Sequence, residues 1–144
     1  MSESDLIKLY SGRILELAAD IPHQGRLEAP QGTSRRRSPL CGSTVTVDVS
    51  LLDGRVERFA QDVKACALGQ ASAALLGHIA IGLTRAEVEA GCAAIRAMLA
   101  GGPVPPAPFE GYEVLVPARD YRNRHASILL APEALAEAMA TAGA

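Results

Sequence analysis

Val45, Val47, Val49 and Leu51 alternate with Thr44, Thr46, Asp48 and Ser50, a period of two that predicts a strand with one apolar and one polar face. Asp53-Gly54 follows at once and readily takes the left-handed conformations of a tight hairpin turn. Residues 55–63 are therefore expected to return antiparallel beside the first strand. Phe59 stands out of register with Val56, which predicts a bulge there. At Cys66 the period changes: Leu68, Ala71, Leu75 and Ile79 recur at helical spacing, predicting a helix from Cys66 to about residue 81. Its first turns are built from Ala67, Gly69, Ala71, Ser72 and Ala73, small enough to let other backbone approach Cys66 closely.

Thr84-Arg85-Ala86-Glu87 reads as a capping box opening a second helix, with Val88, Cys92, Ile95 and Leu99 on one face. Gly101-Gly102-Pro103 ends it, and Pro105, Pro106 and Pro108 make a stiff connector too short to separate domains. Upstream, Ile7, Tyr10, Ile14, Leu17 and Ala18 predict an amphipathic helix that stops before Pro22 and covers the sheet. Residues 21–37, broken by Pro22, Gly25, Pro30 and Gly32, read as a loop ending in Arg35-Arg36-Arg37. That triplet is either a solvated edge or a surface for an acidic partner. Near the end, Pro132 and Glu133 are expected to open a last, Ala-rich helix. The elements add up to an α+β fold, a small antiparallel sheet of about three strands with helices packed on one face.

A chain of 144 residues, 49% of them hydrophobic, builds one core, so residues 1–144 are taken as a single domain. Aromatic residues make up only 3%, which leaves the packing to aliphatic side chains. Fourteen Lys and Arg against sixteen Asp and Glu give a net charge of −2, which argues against a general nucleic-acid binder or a partner of acidic lipid. No run of residues is long and apolar enough to cross a bilayer. The cysteine count is odd, no CxxC pair occurs and no signal-like run opens the chain, so a reducing cytoplasm is the expected location.

Candidate chemistry centres on sulfur. The predicted strand–helix junction at Cys66 offers unpaired backbone N–H groups and the positive end of a helix dipole, both of which favour a thiolate; Lys64 adds positive charge nearby. The plain alternative is a buried structural cysteine. Cys41 precedes the outgoing strand and Cys66 follows the returning one, so the hairpin is expected to bring both to one end of the sheet. Cys92, among apolar neighbours, reads as core. His125 is a candidate third ligand, although a single histidine serves as readily as a hydrogen-bonded surface residue. No phosphate-cradling Gly-rich loop and no Ser-His-Asp arrangement is present.

Three stretches then resemble one family. Ser38-Pro39-Leu40-Cys41-Gly42-Ser43, Ala65-Cys66 followed by Gln70-Ala71-Ser72-Ala73, and Arg124-His125-Ala126-Ser127 with Leu129 are similar to the three cysteine motifs of the NifU/IscU/SufU-type iron–sulfur cluster assembly scaffolds. The resemblance covers nearly the whole chain. It implies a scaffold or carrier, not an enzyme, that holds an Fe–S cluster, [2Fe–2S] by expectation, or zinc. Its partners would be a cysteine desulfurase and apo iron–sulfur acceptor proteins. Cys41 and Cys66 carry over as ligands, with His125 the weaker third. Ser43 stands where the family commonly has Asp, and the third motif has no cysteine: Ala126 or Ser127 takes its place, depending on alignment. One chain thus supplies at most three ligands where clusters normally take four. Zinc with an open position, or a cluster completed by a second subunit of a homodimer or by a small thiol, would fit that set. Two other readings follow from the lost ligands: a degenerate paralogue that binds the desulfurase as a regulatory module, and a zinc-bound acceptor of persulfide sulfur at Cys66 or Cys41.

Overall fold

The computed structural model describes residues 12–39 and 42–144. Strands β1 (Gly32–Arg37), β2 (Thr44–Leu52) and β3 (Arg55–Lys64) form one antiparallel sheet in that order. The β2–β3 hairpin turns on Asp53 and Gly54, both at positive φ (53° and 76°), as the Asp-Gly pair requires. The expected bulge is present: Ser50 pairs with Arg58 and Leu51 with Val56, leaving Glu57 as the extra residue. Val45, Val47 and Val49 are wholly buried on the apolar face beside Val63, Gln61 and Phe59.

The structure corrects the reading of residues 21–37 as loop. Their last six form β1, whose inward positions are Gly32, Ser34 and Arg36 opposite Val49, Val47 and Val45. With no large apolar side chain, β1 shows no hydrophobic alternation, and the reason is packing. A Cβ on Gly32 would lie 2.0 Å from the Ala138 carbonyl oxygen, so the last helix sits directly on the backbone. The preceding segment is a strap. It pairs with β3 through Gly25 N–H to the Gln61 carbonyl, crosses β2, where Arg26 and Leu27 meet Asp48, and enters β1 after Gln31 bonds Val49 and Leu51. Asp48 is fully buried under it, also accepting from Thr33. Burial alone would raise the Asp48 pKa, but the bonds from Arg26, Thr33 and Leu27 outweigh it and hold the carboxyl below its ordinary value.

Helices α1 (Arg13–Ala18), α2 (Ala67–Ile79), α3 (Arg85–Leu99) and α4 (His125–Thr141) and two 3₁₀ segments, Glu110–Asp120 and Arg122–Arg124, complete the described chain. Within α1, Ile14 and Leu17 are buried against α2, so the described part of the first helix rests on that helix rather than on the sheet. The expected helix residues before Gly12 lie outside the described ones. Helix α2 is buried nearly all round, between α1 and α4. The Thr84–Glu87 capping box opens α3, with Val88, Cys92, Ile95 and Leu99 inward as expected.

A second correction concerns α4, which begins at His125 and carries Pro132 in its interior instead of starting there. Proline has no N–H to give the Ile128 carbonyl one turn back, and that carbonyl is taken instead by the Ser72 hydroxyl, 2.5 Å away, from α2. Tyr112 completes the joint, its hydroxyl donating 2.8 Å to the Ser72 carbonyl. Burial pushes the tyrosine pKa well up, so it stays a neutral donor. A polar joint inside the core thus fixes α4 against α2, and with it the first turn of α4.

Candidate functional site

Cys66 is the N-cap of α2, in extended conformation (φ −67°, ψ 171°), directly after β3. Its thiol does not cap the helix. It is half-buried and points to one hydroxyl: Sγ lies 3.4 Å from Ser127 Oγ, which in turn donates 3.0 Å to Ser43 Oγ. The Cys66 backbone N–H also points to Ser43 Oγ at 3.4 Å. Three elements meet here: the β3–α2 junction, the residue before β2, and the first turn of α4. Both serines are buried, at 3% and 1% exposure, so the thiol is the accessible member of the cluster.

The small residues expected to admit other backbone near Cys66 do so at Gly69. A Cβ there would stand 2.8 Å from Ser127 Oγ and 3.3 Å from the Ser127 carbonyl oxygen. Gly69 is therefore the gap through which Ser127 reaches the thiol. Hydroxyl chemistry makes the cluster switchable. A hydroxyl both donates and accepts, so Ser127 Oγ can donate to Ser43 Oγ or, after one rotation, to the sulfur.

Cys41 and Leu40 lie outside the described residues. Their loop closes at its base, where Ser38 N–H donates 2.8 Å to the Ser43 carbonyl and Gly42 N–H donates 3.1 Å to the Ser38 carbonyl. Ser43, two residues after Cys41 in sequence, is the one that touches Cys66. His125 occupies the first position of α4, but its Nε2 is 3.0 Å from the carbonyl oxygens of both Ala118 and Arg119. Since carbonyls only accept, Nε2 is the protonated donor. The depression that His125 borders, with Leu99, Arg119 and Arg122, does not include Cys66. Among the described residues no group of three or more His, Cys, Asp or Glu side chains could hold a metal ion. The donor set in view is one thiol and two hydroxyls, so a metal there needs ligands from beyond these residues.

Cys92 behaves as the core residue its position on α3 suggested. It is 7% exposed, and burial, with Glu133 nearby, pushes its thiol up to about 11. Two residues that shape the site were not singled out for that role by the sequence: Tyr112, and the inward-facing Ser72 that it bonds, which stood out only as a small residue within a matched motif. Only the coincidence of a core tyrosine with a proline four residues beyond Ile128 could have pointed to them.

No known family profile and no curated protein matches the sequence. Solved structures do. The chain is 41% identical to the N-terminal NifU-like protein of Brucella abortus, described as nitrogen-fixing, over 95% of this chain and 96% of that one, with a TM-score of 0.91. A hypothetical protein at 20% identity (TM-score 0.80, covering 97% and 99%) has the same fold. So does the iron–sulfur cluster assembly scaffold for the SUF system of Fervidobacterium islandicum AW-1, at 20% identity (TM-score 0.79, covering 92% and 98%). With two-fifths of its residues shared with the first over nearly the full length, the chain belongs to the NifU/IscU/SufU-type scaffold family.

Proposed function

We propose that this protein is a scaffold or carrier of iron–sulfur cluster assembly, with Cys66 and Cys41 as the thiolates that receive iron, sulfur or the nascent cluster. The observation that carries the reading is the half-buried Cys66 thiol at the head of α2, backed by hydroxyls and reachable from solvent. It is a place to hold and hand over cargo, and among the described residues its side-chain neighbours are hydroxyls, with no His or carboxylate against the thiol. Any catalysis belongs to a partner, for which a cysteine desulfurase is the reading by family, with apo iron–sulfur proteins as recipients. Iron or zinc would take the two thiolates first. His125 can join only through Nδ1, or by releasing Nε2 from the two carbonyls. The remaining positions fall to a small thiol, water or a second copy of the chain.

A second reading has its own observation. Ser127 and Ser43 occupy the two positions beside Cys66 where a further thiolate and a carboxylate would complete a ligand set, and both are neutral. That favours a module which engages the desulfurase without building clusters.

Anaerobic reconstitution with a desulfurase, cysteine and iron separates the readings. The wild-type chain is expected to retain iron and acid-labile sulfide, and a Cys41→Ala Cys66→Ala variant to retain neither. Equal loading of the two proteins rejects the scaffold reading. Desulfurase pull-down with no iron, sulfide or zinc on the wild type supports the second reading, and a sulfur adduct on either cysteine by mass spectrometry supports persulfide acceptance.

A further inference from the structure

The polar face of the sheet is covered unevenly. The strap of residues 22–31 crosses it over Asp48, and the rows of residues nearer the Cys66 end carry no described element. Directly opposite residues share a face, so the register sets these rows: Arg37, Thr44 and Lys64, then Arg35, Thr46 and Asp62. Together with Arg26 and Thr33, most of them line an open depression of about 440 Å³.

Its charge is unbalanced in a chain whose net charge is −2. Arg26 is bound to Asp48 at 2.6 Å and so is spoken for. Arg35, Arg37 and Lys64 are exposed and join no ion pair among the described residues; the one other carboxylate in the rows is Asp62. Several other cations are matched, as where Arg36 meets Glu133 and Glu137, Arg85 meets Glu89 and Arg55 meets Glu87. Arg35 and Lys64 line the depression and Arg37 adjoins it in the next row; set against Asp62 the three leave two positive charges in excess, an electrostatic footprint for an anionic partner.

The spacing narrows the partner further. Arg35 and Arg37 are two residues apart on one strand face, about 6.6 Å, which is the repeat at which an extended peptide presents every second side chain. Lys64 faces them from across β2. We propose that this depression docks an extended acidic segment of a protein partner, carboxylates at alternate positions pairing with Arg35, Arg37 and Lys64. Lys64 stands two residues before Cys66 in the chain, so a partner held here has its neighbouring surface at the thiol. The proposal stands on surface charge and strand geometry, and needs no metal at Cys66.

The test is a titration of the full chain with a capped synthetic heptapeptide of alternating glutamate and serine, followed by anisotropy and by backbone amide shifts. The expected result is binding that weakens steeply with salt, and shifts confined to residues 33–37, 44–46 and 62–64. Both Arg35→Glu Arg37→Glu and the milder Arg35→Gln Arg37→Gln, checked for an unchanged thermal midpoint, should bind at least tenfold more weakly. Arg96→Glu on α3 should bind as wild type does. Absence of binding at low salt, equal affinity for the glutamine version of the peptide, shifts centred elsewhere, or unchanged affinity in both arginine variants overturns the proposal. So does comparable or tighter binding at the same amides by inorganic phosphate or a single-stranded oligothymidine, which would assign the depression to oxyanions or nucleic acid.

Discussion

Cys66 stands at the N-cap position of α2, half-buried, with its thiol 3.4 Å from the Ser127 hydroxyl and its backbone N–H facing Ser43. Cys92 lies midway along α3, 7% exposed at the floor of a groove bordered by Arg36, Arg85, Glu89 and Glu133. The side chain is identical and the backbone decides its chemistry. A helix start leaves N–H groups without intrahelical partners and turns the chain toward solvent, whereas a helix interior facing α4 surrounds sulfur with hydrocarbon and nearby carboxylates. The difference teaches that cysteine count says little here: of the two described thiols, the one at the element boundary is the accessible one.

The largest consequence is kinetic. Alkylation by iodoacetamide near neutral pH, read by peptide mass spectrometry, should modify Cys66 about 100-fold faster than Cys92, whose thiolate is scarce with its pKa at about 11 and whose sulfur is covered. Comparable rates at the two sites would remove the distinction drawn between them.

The joint that holds Ser127 beside Cys66 supplies the next prediction. Ser72→Ala orphans the Ile128 carbonyl, which Pro132 cannot serve, while Tyr112 keeps its bond to the backbone carbonyl of residue 72. A loss of about 1–3 kcal/mol in urea denaturation is expected. The first turn of α4 should loosen too, raising Cys66 labelling while leaving Cys92 unchanged. An equal rise at both cysteines would mean that the joint supports the whole core and not the site.

The pH dependence should follow the strap rather than either thiol. Asp48 has a folded pKa below its unfolded value, so its stabilisation is complete above the unfolded value of about 3.9 and is lost as pH falls through the lower folded one. The stability gap between wild type and Asp48→Asn should therefore be full at pH 6 and shrink as the pH drops below about 4. A gap that does not change with pH would show that the carboxylate's charge contributes nothing there. Smallest of all is Cys92→Ala, expected to cost about 1 kcal/mol by loss of a small buried group, with iron loading unaltered.

Much of this was legible before the fold was known, where local chemistry had one answer. The alternation in β2, the Asp53-Gly54 turn, the bulge and the Thr84–Glu87 capping box each have a local cause, and each is present. Strand β1 and the start of α4 were hidden because their causes are tertiary. Gly32 belongs to a strand only because α4 needs its backbone, and Pro132 is tolerated mid-helix only because Ser72 takes the carbonyl that it leaves free. At the site, the sequence pointed to Cys66 and to the departures at Ser43 and Ser127. It did not show that those two serines contact one another and that Ser127 reaches the thiol, since the three residues are far apart along the chain. It also placed His125 among the ligands without the Ala118 and Arg119 carbonyls that occupy its Nε2.

The most direct test compares iron and acid-labile sulfide, with the visible absorption of the cluster, in wild type, Cys66→Ala and Cys92→Ala after the same anaerobic reconstitution. The account predicts that Cys92→Ala loads as wild type does and that Cys66→Ala loses most of its iron and sulfide. Full loading of Cys66→Ala, or loss confined to Cys92→Ala, would contradict it.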